Sequence, residues 1–216
     1  RTTANALDGI AAARNDIFLA IDELGQAEAD NVPRVVYDLS SGAGKERLNQ
    51  KAALVNKKQW RLIYLSTGEI SAREAMELAR DKVRAGQLVR LVDIDIEDAI
   101  IVNPHGQSDI DFVDDLRKKC ATYFGSAGPV FVEKLIEIAS TAEGRNGLED
   151  GYQWCMEALS PEFCDAEQSR VVKRFALVLL AGICAVQYGI IPLEEEEVIE
   201  AVQTICSRSV SYTHLA

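Results

Sequence analysis

Asp22 and Glu23 close a short apolar run, "IFLAID" at residues 17–22 with Glu23 next, and two adjacent carboxylates in that place can handle a metal ion and a water molecule. In a nucleotide hydrolase the first carboxylate holds magnesium, often through water, and the second accepts a proton from the attacking water or orients it. An acidic pair alone is a weak signal, because a solvated turn or a helix start carries one just as often. A second run, "WRLIYLST" (60–67), adds weight. It ends in Ser66-Thr67-Gly68-Glu69, and beside the first run it would bring Ser66 or Thr67 to a γ-phosphate or to the attacking water. That is the sensor position of ring-forming ATPases. The plain alternative is a capped turn ahead of the next helix, for which Ser71 is enough. Arg80, Arg84 and Arg90 come next, where such rings send an arginine finger to the neighbouring subunit's nucleotide. Their plain alternative is a set of surface arginines with stems packed on the fold.

Such residues need a sheet to position them. Three runs, 17–22, 60–67 and 88–94, are short, rich in Ile, Leu and Val, and end in polar residues. This predicts parallel strands buried on both faces. Helical patterns at 4–15, 31–39 and 71–86 alternate with them, and Ser71 with Glu74 forms a capping box at the start of the last. The α-β-α-β-α-β order predicts an α/β sheet with crossover helices, whose ligands bind beyond the carboxyl ends of the strands. After residue 100 the pattern is helical only, with candidates at 108–124, 129–143, 148–159, 165–188 and 193–207. Pro129 and Pro192 sit near helix starts, and "LEEEEVIEAV" reads best as a solvated face.

A phosphate-binding loop is the missing part. "SSGAGKERLNQ" (40–50) contains Gly-Ala-Gly-Lys, but G-x-x-x-x-G-K-[ST] needs glycine at 39 and Ser or Thr at 46. Those positions hold Leu39 and Glu46, and the segment follows a helix rather than a strand.

Composition narrows the classes. The 216 residues are 48% hydrophobic and 26% charged, which predicts one substantial core and excludes a disordered chain. Five cysteines, Cys120, Cys155, Cys164, Cys184 and Cys206, show no C-x-x-C spacing, so reduced thiols of a cytoplasmic protein are expected, with no zinc site. Net charge is −11 and uneven. Residues 1–90 carry 14 basic and 12 acidic side chains, and residues 91–216 carry the other 9 of 23 and 22 of 34. A surface for nucleic acid would therefore be local and in the first half. Residues 43–61 hold Lys45, Arg47, Lys51, Lys57, Lys58 and Arg61 against Glu46 alone. The uncharged run 175–191 is shorter than the roughly 20 residues of a spanning helix, and a buried helix is expected. Nothing near Arg1 reads as a signal peptide. The first residue is not Met, so a start within a longer protein is expected. His105, in "NPHGQ", reads as a loop histidine.

Taken together, "RTTANALDGIAAARNDIFLAIDELGQ", "GAGKERLNQ", "WRLIYLSTGEIS", "VRAGQLVRLVDI" and "YFGSAGPVFVEKL" resemble one family, the helicase-like domain of unknown function 927. It occurs in primase-helicase proteins of phages, plasmids and integrative elements. The resemblance is weakest after about residue 145 and implies a P-loop NTPase-like (RecA/AAA+-like) parallel sheet, incomplete at the N-terminus, followed by an all-α C-terminal region. The division implied is 1–100 for the ATPase core from Walker B to its last strand, 101–208 for the helical region and 209–216 for a tail. The tail, "SVSYTHLA", resembles a translated sequencing adapter, which leaves His214 without a role.

The resemblance further implies Asp22 and Glu23 as the Walker B pair, with Asp22 at the metal, Ser66 as sensor and Thr67 beside the nucleotide. Arg84 and then Arg90 are the finger candidates, and Lys45, Arg47 and Lys51 lie where related hexameric helicases contact DNA. ATP and Mg²⁺ are the implied cofactors. Single-stranded DNA, a homo-oligomeric ring and a fused or associated primase are the implied partners. Two other readings stay open: an ATPase switch that does not act on nucleic acid, and a binding module with a vestigial acidic pair.

Overall fold

The first two apolar runs pair as parallel strands, β1 (Phe18–Ile21) and β2 (Ile63–Ser66), in the computed structural model of the chain. Phe18 lies opposite Ile63, and Ile21 opposite Ser66. The structure describes residues 4–22, 38–44, 57–68, 70–71, 74, 92–94, 96, 103–161 and 165–213. The chain divides into two units, Arg1–Asp93 and Ile94–Ala216.

In the first unit, α1 (Ala4–Ala13) precedes β1. The register of the strands is set at both ends. At their start, the Asp16 amide donates to the Arg61 carbonyl (2.6 Å) and the Arg61 amide to Asn15 Oδ1 (2.7 Å). The Arg61 guanidinium also pairs with Asp16 at 2.7 Å. With the arginine side chain 90% exposed, that pair adds little energy, but it aligns the strands. Asp16 adopts φ 61°, a left-handed conformation that Asp tolerates better than most residues. Ala11, Leu19, Leu39 and Trp60 form the buried core, with Leu7, Ile21, Leu62 and Tyr64 against it.

The expectation of strands buried on both faces is corrected. Leu19 is buried, whereas Phe18 is 50%, Ile63 54% and Leu65 57% exposed. Alternate residues point to opposite faces, and among the described residues the core lies on one face only. Of the third run, residues 88–91 lie outside the described residues and 92–94 take no strand conformation; among the described residues the sheet has two strands.

Trp60 ties a distant turn to this core. Its indole Nε1 donates to the Leu39 carbonyl at 2.8 Å, within the short helical turn 38–40. Trp60→Phe leaves that buried carbonyl only the long bond from the Gly42 amide (3.4 Å), a cost of about 1–3 kcal/mol. The expected result is lower protection of the β1 and β2 amides in native-state hydrogen exchange, with the helical unit's amides unchanged as the internal control.

Among the described residues the second unit has helices and no strand, as expected. Its helices are α2 (Asp109–Thr122), α3 (Ala127–Ala139), α4 (Ala142–Leu159), α5 (Ala166–Gln187) and α6 (Glu195–Thr213). Their starts follow local hydrogen bonding. Ser108 caps α2, Thr141 caps α4, and Asp165 with Gln168 makes a full capping box on α5. α4 begins well before the expected residue 148, because the Thr141 cap and the packing of the helix outweigh the glycines Gly144 and Gly147. α6 runs past 207 to Thr213, with Ser209 buried.

The core of this unit lies where α4, α5 and α6 meet, around Cys155, Val172, Ala176, Leu179, Val198 and Cys206. Gly182 lets α5 and α6 approach, since a Cβ there would come within 2.6 Å of Val198 Cγ1. Cys155, Cys184 and Cys206 are buried thiols and Cys120 is exposed. Burial raises the Cys155 pKa above its ordinary value, with Cys184 adding to the shift. Among the described residues, no helix is long and apolar enough to cross a membrane.

Candidate strand-end site

Parallel pairing places the polar ends of both strands together. Asp22 follows β1 and Thr67 follows β2, so the register that sets Ile21 against Ser66 brings the next two residues side by side. The Thr67 amide donates to the Ile21 carbonyl at 3.3 Å, extending the ladder by one bond. The Thr67 hydroxyl donates to Asp22 Oδ1 at 3.1 Å. Among the described residues, Asp22 Oδ2 has no hydrogen-bond or ion-pair partner, and both side chains are exposed. One carboxylate oxygen is thus held and the other faces outward. A neighbouring hydroxyl that steers a metal-binding carboxylate uses the same arrangement.

Ser66, the sensor candidate, is oriented differently. It sits opposite Ile21, and its hydroxyl donates to the Thr67 carbonyl at 3.1 Å. Thr67, then, is the hydroxyl that the fold brings to Asp22. Sequence inspection could not separate the two, because the choice depends on strand register. The capping box at Ser71 is present: the Glu74 amide donates to Ser71 Oγ at 3.1 Å, and the Ser71 amide to Glu74 Oε2 at 3.0 Å. Glu23, Arg84, Arg90, Lys45, Arg47 and Lys51 lie outside the described residues.

The ends of the basic segment are described, and they meet. Ala43 and Gln59 form an antiparallel bridge. The Gly44 amide donates to the Lys58 carbonyl at 2.8 Å, and the Trp60 amide to the Gly42 carbonyl at 2.9 Å. Gly42 needs its glycine: its φ is 70°, and a Cβ would stand 3.1 Å from the Trp60 carbonyl oxygen. The two flanks of residues 45–56 are therefore held side by side, Gly44 against Lys58. Lys45, Arg47 and Lys51 fall between two ends tied together on the α1–Trp60 core. Lys57 and Lys58 are exposed at the return, while Arg61 is engaged with Asp16. The spacing of charges showed the cations but not this closure. His105 is an exposed loop residue with φ 52°, its ring 6.1 Å from that of Phe112, in keeping with the loop reading.

The site is thus a carboxylate and a hydroxyl at the carboxyl ends of adjacent parallel strands, with a basic excursion rooted in the same unit. The family model described as domain of unknown function 927 matches residues 1–59. No curated protein and no solved structure matches the chain significantly.

Proposed function

We propose that residues 1–100 are part of the core of an ATP-driven DNA helicase or replicative ATPase, P-loop NTPase-like in fold, working as a ring alongside a primase. One observation carries the reading: Asp22 and Thr67 stand hydrogen-bonded beyond the carboxyl ends of neighbouring parallel strands, where open α/β sheets bind ligands. The donor set suits magnesium, which prefers carboxylate and hydroxyl oxygens and keeps several waters. Asp22 would hold the ion, through Oδ2 or through water, while Thr67 fixes the orientation of the carboxylate. Bound there with ATP, magnesium supplies charge neutralisation on the phosphates. Glu23 is assigned the proton of the attacking water. The phosphate cradle is assigned to a G-x-x-x-x-G-K-[ST] loop ahead of Arg1, since residues 39–46 fail that pattern.

The tied excursion favours a motor on DNA over a switch without nucleic acid. A loop rooted at Gly44 and Lys57 can present Lys45 and Arg47 to a ring's channel. Such phosphate contacts do not depend on sequence, and each contributes a slope of roughly −0.7 in log K against log salt on single strands. In a chain that includes the upstream loop, replacing both with Ala should weaken binding to all single strands alike. The salt slope should become shallower by about 1.4, and DNA stimulation of the ATPase should fall while the basal rate survives. If the double variant loses stability but keeps its DNA affinity and slope, the side chains serve only to balance surface charge, and the channel assignment is wrong.

A further inference from the structure

The helical unit contains a cavity of about 430 Å³ that the strand-end site does not use. It lies where the end of α3, α4 from Gly144 to Cys155, the end of α5 and the start of α6 come together. The volume falls within the range of small-molecule sites, roughly 300–1,000 Å³.

The floor is made by glycines on one side of α4. Gly144 is required by contact, since a Cβ there would collide with the Ile138 carbonyl. Gly147 is not, because an added Cβ would meet nothing within 4 Å. Glycine inside a helix is less stable than alanine there, so Gly147 leaves space open at a cost to the helix. The walls are apolar, with Leu180 and Ile183 on α5 and the indole of Trp154, which is 49% exposed.

Gln187, Tyr188 and Glu195 are the polar residues of the lining. The Tyr188 hydroxyl is buried and, among the described residues, has no hydrogen-bond partner. Burial first, then the neighbouring Cys184 thiol, push the Tyr188 pKa up to about 12. The group is therefore a neutral phenol that can donate or accept. Glu195, in the first turn of α6, accepts from the Gln187 amide at 3.0 Å and, among the described residues, has no cationic partner. Among the described residues no Lys or Arg lines the cavity, so Glu195 gives it a net negative charge.

We propose that this cavity binds a small organic cation, a primary ammonium carried on an apolar body about the size of an aromatic ring. The body lies on the glycine floor against Leu180 and Ile183. The ammonium donates to the Glu195 carboxylate, and the indole of Trp154 lies along the apolar body. Complementary charge selects this occupant over a neutral or an anionic one.

Three probes share a body and differ in head group: phenethylammonium, phenethyl alcohol and phenylacetate. Titrated calorimetrically into residues 1–216 at one ionic strength, phenethylammonium should bind about tenfold or more tighter than the alcohol, and phenylacetate should show no binding. Glu195→Gln keeps the shape and should bring the amine down to the alcohol's affinity. Gly147→Leu fills the floor and should abolish binding of all three, with circular dichroism confirming the helical fold. Should that variant fail to fold, Glu195→Gln decides the question alone. The inference is overturned by no binding of the amine, by equal or tighter binding of either other probe, by a retained amine preference in Glu195→Gln, or by unchanged binding in folded Gly147→Leu.

Discussion

Glu23→Gln, in a chain that includes the upstream phosphate loop, is expected to lower ATP turnover by about 10²-fold or more while Mg-ATP still binds. The amide keeps the shape of the side chain and loses only its ability to accept a proton. Asp22→Ala should behave differently, because it removes the oxygen assigned to the ion and strips Thr67 of its hydrogen-bond partner. Mg-ATP binding itself should weaken. Thr67→Val should fall between the two, with the carboxylate intact but no longer steered. Single-turnover rates and nucleotide-binding isotherms on the three variants separate these outcomes. Residues 1–216 by themselves should turn over no ATP, since no stretch of them meets the phosphate-loop pattern. Equal, mild effects from Asp22→Ala and Glu23→Gln would mark the pair as a structural turn. Robust turnover by residues 1–216 would mean that the phosphate site has been misplaced.

An arginine supplied across a subunit boundary carries the other large effect. Arg84→Ala should lower turnover by about 10³-fold or more, the usual contribution of a finger in trans. Mixing decides whether the site is shared. An Arg84→Ala subunit retains its own carboxylates, and a Glu23→Gln subunit retains its own arginine. A ring holding both kinds contains some intact interfaces, so two inactive preparations should recover activity when combined. Arg90 is the second candidate and takes the same test. If confirmed rings show no recovery at any mixing ratio, the finger does not come from this stretch.

Some of this organisation was legible in the residues because it depends on short-range interactions. Ser71 with Glu74, and the polar residues that cap α2, α4 and α5, satisfy helix-start amides only two or three positions away. Four-residue geometry of that kind can be read directly. The acidic pair at the end of an apolar run was equally plain, as was the change from mixed to purely helical pattern near residue 100. The first helix turn of α4 was not, because its glycines weaken the local signal and the packing of the helix outweighs them.

By itself, then, the sequence determined the helical second unit, most of its helix starts, the parallel direction of the first two strands, and the placing of Asp22 and a hydroxyl at their carboxyl ends. The tertiary structure decided which hydroxyl meets Asp22. Ser66 and Thr67 are adjacent and chemically alike, but neighbouring residues of a strand point to opposite faces, and a register shift of one would exchange them. That register is held from outside the strands, by Arg61 on Asp16 and Asn15 at one end. The face of the sheet that is covered was likewise decided by packing. An apolar run reads the same whether one layer or two lies against it, and here Leu19 is buried while Phe18 is exposed. The closure of the basic segment between Gly44 and Lys57 belongs with these. It rests on backbone hydrogen bonds between residues 14 or more positions apart, which side-chain type does not encode.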